Sequence, residues 1–165
     1  MKIILVGMMG SGKSALGRKL SKKLNISLFE CDEIFEEKFN IKIKDYFKEF
    51  GETAFRKEES TILKELTSKD DFVISTGGGV VLNNLNREMI FNDEIISIYV
   101  KTKPEVIFDR IKNNKTRPLL LVENPEEEIK KILSSREEYY SLAKFTIENN
   151  KSIDQTIEEI LKCIQ

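Results

Sequence analysis

Residues 3–17 read Ile-Ile-Leu-Val-Gly-Met-Met-Gly-Ser-Gly-Lys-Ser-Ala-Leu-Gly, an apolar run followed by a glycine-rich loop. The segment from Gly7 to Ser14 fits the pattern G-x-x-x-x-G-K-S. Its context also fits, because the apolar run predicts a strand before it and leucines at helical spacing predict a helix after it. Such a loop wraps backbone N–H groups around phosphates, and the helix N-terminus adds partial positive charge. The segment therefore predicts a site for a nucleoside triphosphate with Mg²⁺.

The loop also predicts individual contacts. Lys13 should reach the terminal phosphates, and the Ser14 hydroxyl should supply one oxygen to Mg²⁺. The predicted nucleotide-binding residues of the loop are Gly10, Ser11, Gly12, Lys13, Ser14 and Ala15.

Further along the chain, short runs rich in β-branched residues alternate with segments of helical spacing. These runs cover residues 3–6, 72–74, 95–100 and 145–147, with a weaker one at 27–30. Alternation of strand and helix predicts an α/β fold, a parallel sheet with helices on both faces. With 165 residues and neither a repeat nor a linker-like composition, the chain should form one domain spanning 1–165.

Two proline-containing segments predict helix starts. Thr102 and Asn124 each precede a proline by one or two residues and a glutamate by three, which is the spacing of a capping box. We expect a helix to begin after each of them. Between them, residues 113–124 are first polar and basic and then apolar, so we expect this connection to form a mobile lid over the site.

Composition excludes several classes of chemistry. The chain has no histidine, which excludes a Ser-His-Asp triad, a Cys-His pair and a His-ligated metal. A formal charge of -1 does not favour a protein that coats nucleic acid or a membrane surface. Cys31 and Cys163 lack the spacing of a disulfide framework or a zinc site, and no apolar run is long enough to span a membrane. We expect a cytoplasmic protein that binds neither nucleic acid nor membranes.

A phosphate-binding loop alone does not distinguish a switch, a motor and a kinase. The guanine signature N-K-x-D is not matched, since the Asn-Lys pairs at 114–117 and 150–153 both lack the aspartate. The predicted strand near 72–76 runs into Gly77 instead of ending in the acidic residue typical of motors. The sequence therefore favours a kinase.

Glycines and arginines indicate where the rest of the site lies. Seven of the eight glycines follow two predicted strands, within 7–17 and at 77–79, where the backbone must approach a ligand. Arginine is much rarer than lysine in this chain, so its positions are informative wherever bidentate binding matters. Singly, each arginine would more often be a solvated residue paired with a glutamate. The candidate site consists of Asp32, Arg56, Arg117 and Arg136.

Taken in order, these residues resemble the shikimate kinase family over nearly the whole chain. The resemblance lies in the phosphate-binding loop, Glu30-Cys31-Asp32, Phe55-Arg56, Thr76-Gly77-Gly78-Gly79, Arg117-Pro118-Leu119-Leu120 and Arg136 with Tyr139. It implies a three-layer P-loop kinase fold of the nucleoside monophosphate kinase type, with a five-stranded parallel sheet in the order 2-3-1-4-5. It also implies ATP-dependent phosphorylation of the shikimate 3-hydroxyl, on the route to chorismate and the aromatic amino acids, with Mg²⁺ as cofactor.

The resemblance implies roles on the nucleotide side of the site. Lys13, Asp32 and Arg117 would be the catalytic residues. Arg117 would close from the lid, about 113–124, onto the ATP phosphates, and Arg110 would lie against the adenine.

On the acceptor side, Asp32 would take the shikimate hydroxyls, and Arg56 and Arg136 would bind the carboxylate. Gly78 and Gly79 would bring their backbone close to the ring. A mobile substrate-binding segment would span about 33–59.

The chain departs from the family pattern at two positions. Glu30 replaces the first aspartate of Asp-x-Asp and is one methylene longer, so a contact of Glu30 with the metal stays open. Asn40 replaces a glycine after the following helix, which is tolerable because asparagine also adopts the left-handed backbone conformation.

The residue chemistry alone leaves other functions open. A gluconate kinase and a nucleoside monophosphate kinase would use the same loop, and so would a non-catalytic nucleotide-binding module. The presence of Lys13, Ser14 and Asp32 together argues against the non-catalytic module. We expect the chain to act as a monomer.

Overall fold

A computed structural model describes residues 1–113 and 122–164. One parallel sheet of five strands lies at its centre, in the order β2-β3-β1-β4-β5, which confirms the predicted order 2-3-1-4-5. The strands are β1 (Lys2–Val6), β2 (Ser27–Glu30), β3 (Phe72–Ser75), β4 (Ile96–Lys101) and β5 (Phe145–Glu148).

Seven helices lie among the described residues, along with a short 3-10 turn at Val80–Leu82. The helices are α1 (Lys13–Leu24), α2 (Cys31–Phe39), α3 (Ile43–Thr67), α4 (Asn84–Ile90), α5 (Pro104–Ile111), α6 (Pro125–Tyr140) and α7 (Ile153–Ile164). No described helix has the length and apolar character needed to cross a bilayer.

The central strand β1 shows why the molecule has three layers. Ile4 and Val6 belong to a core that includes residues of α3, whereas Ile3 and Leu5 belong to a core formed with α1 and α7. All four side chains are fully buried. Because successive side chains of a strand point to opposite faces, an uninterrupted apolar run requires helices on both sides of the sheet. Burial of each such side chain contributes about 1.5–3 kcal/mol relative to exposure.

The strand register places the functional loops at one edge. Leu5 of β1 and Glu30 of β2 both pair with Ser75 of β3. Consequently the phosphate-binding loop after β1, helix α2 after β2 and the glycine turn after β3 all leave from the carboxyl edge of the sheet. This edge is where open α/β sheets bind their ligands.

Two backbone positions shape the segment 33–59. Asn40 ends α2 in the left-handed conformation, with φ 51° and ψ 39°, as expected for a residue that replaces glycine. Gly51 bends α3, since its φ of 82° and ψ of 168° are not helical. Between these two points, Phe35 and Tyr46 pack edge to face with ring centroids 4.9 Å apart, so aromatic packing connects α2 to the first part of α3.

The helix start predicted after Asn124 is confirmed, whereas the cap predicted at Thr102 is wrong. The Asn124 side chain accepts a hydrogen bond from the Glu127 N–H at 3.3 Å, and α6 begins at Pro125. Helix α5 does begin at Pro104, but its N-cap is Lys103 and no side chain caps it. The Thr102 hydroxyl instead donates to the carbonyl of Ser11 at 3.1 Å. The Thr102 hydroxyl thus bonds to a buried carbonyl distant in sequence, although the local pattern predicted that it would cap α5.

Candidate active site

The phosphate-binding loop connects the end of β1 to α1, which begins at Lys13 as the motif predicts. Gly12 has φ 99°, and a Cβ at this position would lie 2.4 Å from Asn149 Nδ2. Glycine is therefore required here by both backbone conformation and space. The Lys13 ammonium lies against the loop and donates to the carbonyls of Gly7 and Met8 at 2.8 and 2.9 Å. Ser14 and Ala15 are exposed in the first turn of α1.

Three side chains hold the outer side of the loop. The Ser11 carbonyl accepts from Thr102 Oγ1, Arg110 Nη1 and Asn149 Nδ2, the last at 2.7 Å. The contacts of Thr102 and Asn149 with the loop were not predicted from the sequence. Both directly follow strands, β4 and β5, so the rule that ligands bind at carboxyl edges would have identified them.

Arg110, predicted to lie against adenine, is fixed beside the phosphate-binding loop. Its Nη2 donates to the Asn149 carbonyl at 3.0 Å, in addition to the bond from Nη1 to Ser11. Burial lowers the pKa of Arg110 from its ordinary value, although it stays charged at neutral pH. A positive charge is thus held next to the N-terminus of α1.

Glu30 lies beside the loop serine. Its Oε2 accepts from the Ser14 hydroxyl at 2.8 Å. Its Oε1 is buried and accepts no hydrogen bond from the described residues, and Arg18 Nη2 is 3.5 Å away. Two oxygen-bearing side chains thus meet where the motif predicts a metal contact.

Two carboxylates meet at Gly77. A Cβ placed on Gly77 would lie 3.0 Å from both Asp32 Oδ1 and Glu59 Oε1. Asp32 is exposed in the first turn of α2, whereas Glu59 of α3 is only 5% exposed. Burial raises the pKa of Glu59, and its neighbour Arg56 opposes this effect.

Arg56 lies against Gly79. A Cβ on Gly79 would be 2.2 Å from Arg56 Nη2, so glycine leaves the space that the guanidinium occupies. Arg56 Nη1 donates to Glu59 Oε2 at 2.7 Å, and Nε and Nη2 approach Glu52 Oε1 at 3.3 Å. These carboxylates fix the guanidinium over the glycine turn.

Arg136 reaches the same turn from α6. Its Nη1 donates to the Gly78 carbonyl at 3.2 Å, and the Tyr140 hydroxyl donates to the same carbonyl. Gly78 in turn packs on the phosphate-binding loop, because a Cβ there would lie 3.0 Å from the Met9 nitrogen. Asp32, Arg56 and Arg136 therefore converge on one turn that touches the loop carrying Lys13.

The predicted catalytic arginine Arg117, and most of the predicted lid at about 113–124, lie outside the described residues.

Comparisons with known proteins agree with this arrangement. The family model for shikimate kinase matches residues 9–165. A shikimate kinase of Sulfurihydrogenibium sp. is 40% identical over 166 residues, covering 99% of this chain and 97% of the relative. One of Thermoanaerobacter pseudethanolicus is 37% identical over 161 residues, covering 97% of this chain and 94% of the relative.

Among solved structures, a shikimate kinase from Acinetobacter baumannii in complex with shikimate superposes with a TM-score of 0.93 at 37% identity, covering 99% of this chain and 92% of that one. A gluconokinase from Sinorhizobium meliloti covers 98% of this chain and 89% of its own length, with a TM-score of 0.62 and 15% identity, a likeness of fold alone. The family match over nearly the full length, together with two relatives at 37% and 40% identity, shows that the chain belongs to the shikimate kinase family.

Proposed function

We propose that this enzyme transfers the γ-phosphoryl group of ATP to the 3-hydroxyl of shikimate, giving shikimate 3-phosphate and ADP. The reaction is a step in the synthesis of chorismate and the aromatic amino acids. The observation that carries the proposal is the convergence of Asp32, Arg56 and Arg136 on the turn Gly77–Gly79, which packs on the phosphate-binding loop. Membership of the family supports this reaction, and the convergence of these residues supports an acceptor site beside the phosphates.

The acceptor side fits a small hydroxy acid. Arg56 and Arg136 bind the shikimate carboxylate, for which bidentate guanidinium groups are well suited. Asp32 lies on the other side of the turn and binds the hydroxyls, while the backbone of Gly78 and Gly79 borders the ring. Hydrogen bonds to charged groups contribute about 1.5–3 kcal/mol each, enough to discriminate against an acceptor that lacks the carboxylate.

The nucleotide side relies on the loop Gly10–Ala15. Its backbone N–H groups and the N-terminus of α1 surround the phosphates, and the Lys13 ammonium moves from the loop carbonyls to the terminal phosphate oxygens. Arg110 lies beside the adenine. Arg117, outside the described residues, completes the positive charge around the transferred group. Phosphoryl transfer requires mainly positioning and neutralisation of charge, which these groups supply.

Asp32 has the catalytic role on the acceptor. Its carboxylate orients the 3-hydroxyl toward the γ-phosphate and takes up the proton as the new P–O bond forms. Because the transition state of phosphoryl transfer is loose, the proton leaves late and orientation accounts for most of the effect.

Mg²⁺ fits beside Ser14 and Glu30. No cluster of three acidic or cysteine ligands occurs in the described part of the chain, which suits an ion coordinated largely by ATP oxygens and water. Ser14 would supply one oxygen, and the buried Glu30 Oε1, which accepts no hydrogen bond from the described residues, would hold its water shell. The ion would neutralise charge on the phosphates.

We also infer that the enzyme acts as a monomer in the cytoplasm. Asp32, Arg56 and Arg136 meet at a single turn, so this part of the site is assembled within one fold. Cys31 and Cys163 are free thiols, which suits a reducing compartment.

A side-by-side acceptor assay tests the function. ADP release from Mg²⁺-ATP would be measured with shikimate, gluconate or AMP as the acceptor. We expect turnover with shikimate and no more than background with the other two. Asp32→Asn serves as the control, because it keeps the size of the side chain; we expect strongly reduced turnover with an unchanged melting temperature.

Turnover with gluconate or AMP but not with shikimate would replace the proposed function with another kinase of this fold. An absence of turnover with all three would favour a non-catalytic nucleotide-binding module. Near-normal turnover of Asp32→Asn would remove Asp32 from the mechanism.

A further inference from the structure

The carbonyl of Gly78 receives two donors from one helix. Arg136 Nη1 donates to it at 3.2 Å, and so does the hydroxyl of Tyr140, which lies four residues later on α6. Residues four apart lie on the same face of a helix, one turn from each other. The guanidinium of Arg136 and the hydroxyl of Tyr140 are thus neighbours on a shared acceptor.

Tyr140 is a rigid element of this arrangement. Its side chain is fully buried, and its ring stacks on that of Tyr99 with centroids 5.1 Å apart. Burial raises the pKa of Tyr140, so its hydroxyl remains a donor at physiological pH. The hydroxyl therefore keeps the proton that it donates to the Gly78 carbonyl.

The last turn of α6 is also fixed to the sheet. Glu137 accepts from the Tyr99 hydroxyl and from the Lys101 ammonium, each at 2.6 Å, and both partners belong to β4. Helix α6 therefore cannot slide along the sheet without breaking these bonds. The Tyr140 hydroxyl accordingly holds the glycine turn at a set distance from the helix that carries Arg136.

Arg136 depends on this geometry. Its guanidinium donates to the Gly78 carbonyl and is also hydrogen-bonded to the Tyr140 hydroxyl, so both groups help to orient it. If the Gly78 carbonyl shifts, the anchor of Arg136 shifts with it, and so does its position relative to Arg56 on Gly79.

We propose that Tyr140 is a positioning residue for shikimate: its hydroxyl fixes the Gly78 carbonyl that anchors Arg136, and so sets where Arg136 meets the substrate carboxylate. This inference rests on the carboxylate-binding role proposed for Arg136. It predicts that loss of one buried hydroxyl changes the binding of one substrate and not of the other.

The test is Tyr140→Phe, which removes the hydroxyl and keeps the stacked ring. We expect KM for shikimate to rise about fivefold, equivalent to about 1 kcal/mol and typical of one lost hydrogen bond. KM for ATP should stay within about twofold of the wild-type value, because Tyr140 contacts no residue of the phosphate-binding loop in the described bonds. Both constants are measured well below the melting temperature of each variant.

Tyr99→Phe is the matched control. It removes a hydroxyl from the other ring of the same stacked pair and leaves Glu137 bonded to Lys101. We expect a comparable loss of thermal stability with KM for shikimate unchanged. Equal increases of this KM in both variants would show a general packing effect and would overturn the inference.

Combination with Arg136→Lys separates the inference from the function on which it rests. Lysine keeps the charge but loses bidentate binding, so this variant alone should raise KM for shikimate and not KM for ATP. Adding Tyr140→Phe should then have little further effect, because the group being positioned is already lost. Full additivity, or no effect of Tyr140→Phe alone, would overturn the inference only. An unchanged KM in Arg136→Lys would overturn the proposed role of Arg136 and the inference with it.

Discussion

At the scale of single residues, the glycine turn divides the site into three contacts. Gly77 borders the carboxylates of Asp32 and Glu59, Gly78 offers its carbonyl to α6, and Gly79 lies under the guanidinium of Arg56. The absence of side chains on the turn lets charged groups from different helices meet within a few ångströms. Ionisation of one of these groups, Glu59, is unfavourable, because burial and the nearby Asp32 carboxylate raise its pKa.

The raised pKa of Glu59 predicts a pH-dependent stability. A carboxyl whose pKa is higher in the folded state binds its proton more tightly there, so its contribution to stability is present at low pH and is lost as pH rises through the folded pKa. Glu59→Gln removes the charge and keeps an acceptor for Arg56. We expect its melting temperature to equal that of the wild type near about pH 4 and to exceed it near about pH 8.

Glu52→Gln is the control for this experiment. Glu52 contacts the same guanidinium but its side chain is 60% exposed, and exposed pairs contribute little to stability. Its melting temperature should follow that of the wild type within about 1 °C, a small fraction of the shift expected from a buried charge. A difference between Glu59→Gln and wild type that does not vary with pH would contradict the expected cost of burying Glu59.

At the scale of elements, local patterns predicted strands and helices well and side-chain partners poorly. The short apolar runs located all five strands. The prediction was strongest for β1, β3 and β4, because a strand buried on both faces needs a continuous apolar run. The edge strands β2 and β5 are only partly buried, and the run at 27–30 was correspondingly weak. The partners of Tyr140 and Asn149 lie 62 and 138 residues away in the chain, beyond the reach of any periodic pattern. Thr102 shows the same limit, since its hydroxyl donates to the distant Ser11 carbonyl and does not cap α5 as the local pattern predicted.

Because Thr102 and Asn124 have different partners, we expect their substitution to have different effects. Thr102→Val keeps the side-chain shape but removes a donor to the loop carbonyl of Ser11, so we expect KM for ATP to rise about threefold, as for one neutral hydrogen bond among several. Asn124→Ala removes the cap of α6 and should lower stability by about 1 kcal/mol. That corresponds to about 2–4 °C in melting temperature for a chain of this size.

Each variant is the control of the other, measured for both ATP kinetics and melting temperature. A lower melting temperature of Thr102→Val with unchanged KM for ATP would show that the bond to Ser11 stabilises the fold without affecting nucleotide binding, which would contradict the expected role of Thr102.

At the scale of the whole molecule, the sheet brings the two proposed binding regions to one edge, and Gly78 is where they touch. Strand order followed from the family resemblance, whereas alternation of strands and helices predicted only a parallel sheet with helices on both faces. The contact of Gly78 with the phosphate-binding loop could not be predicted from the sequence, since it joins loops that follow two different strands. Through it, the acceptor side and the nucleotide side have one backbone contact in common.

Alanine substitutions at neighbouring glycines test this common contact. Neither Gly78 nor Gly79 has positive φ, so a methyl group acts through space alone. At Gly78 it would lie 3.0 Å from the Met9 backbone nitrogen, which cannot yield without moving the phosphate-binding loop. Overpacking costs about 1–3 kcal/mol, so we expect Gly78→Ala to raise KM for ATP and for shikimate about tenfold each.

Gly79→Ala displaces the side chain of Arg56 and should raise KM for shikimate alone. If Gly78→Ala leaves KM for ATP unchanged, the two regions bind independently and this contact does not join them.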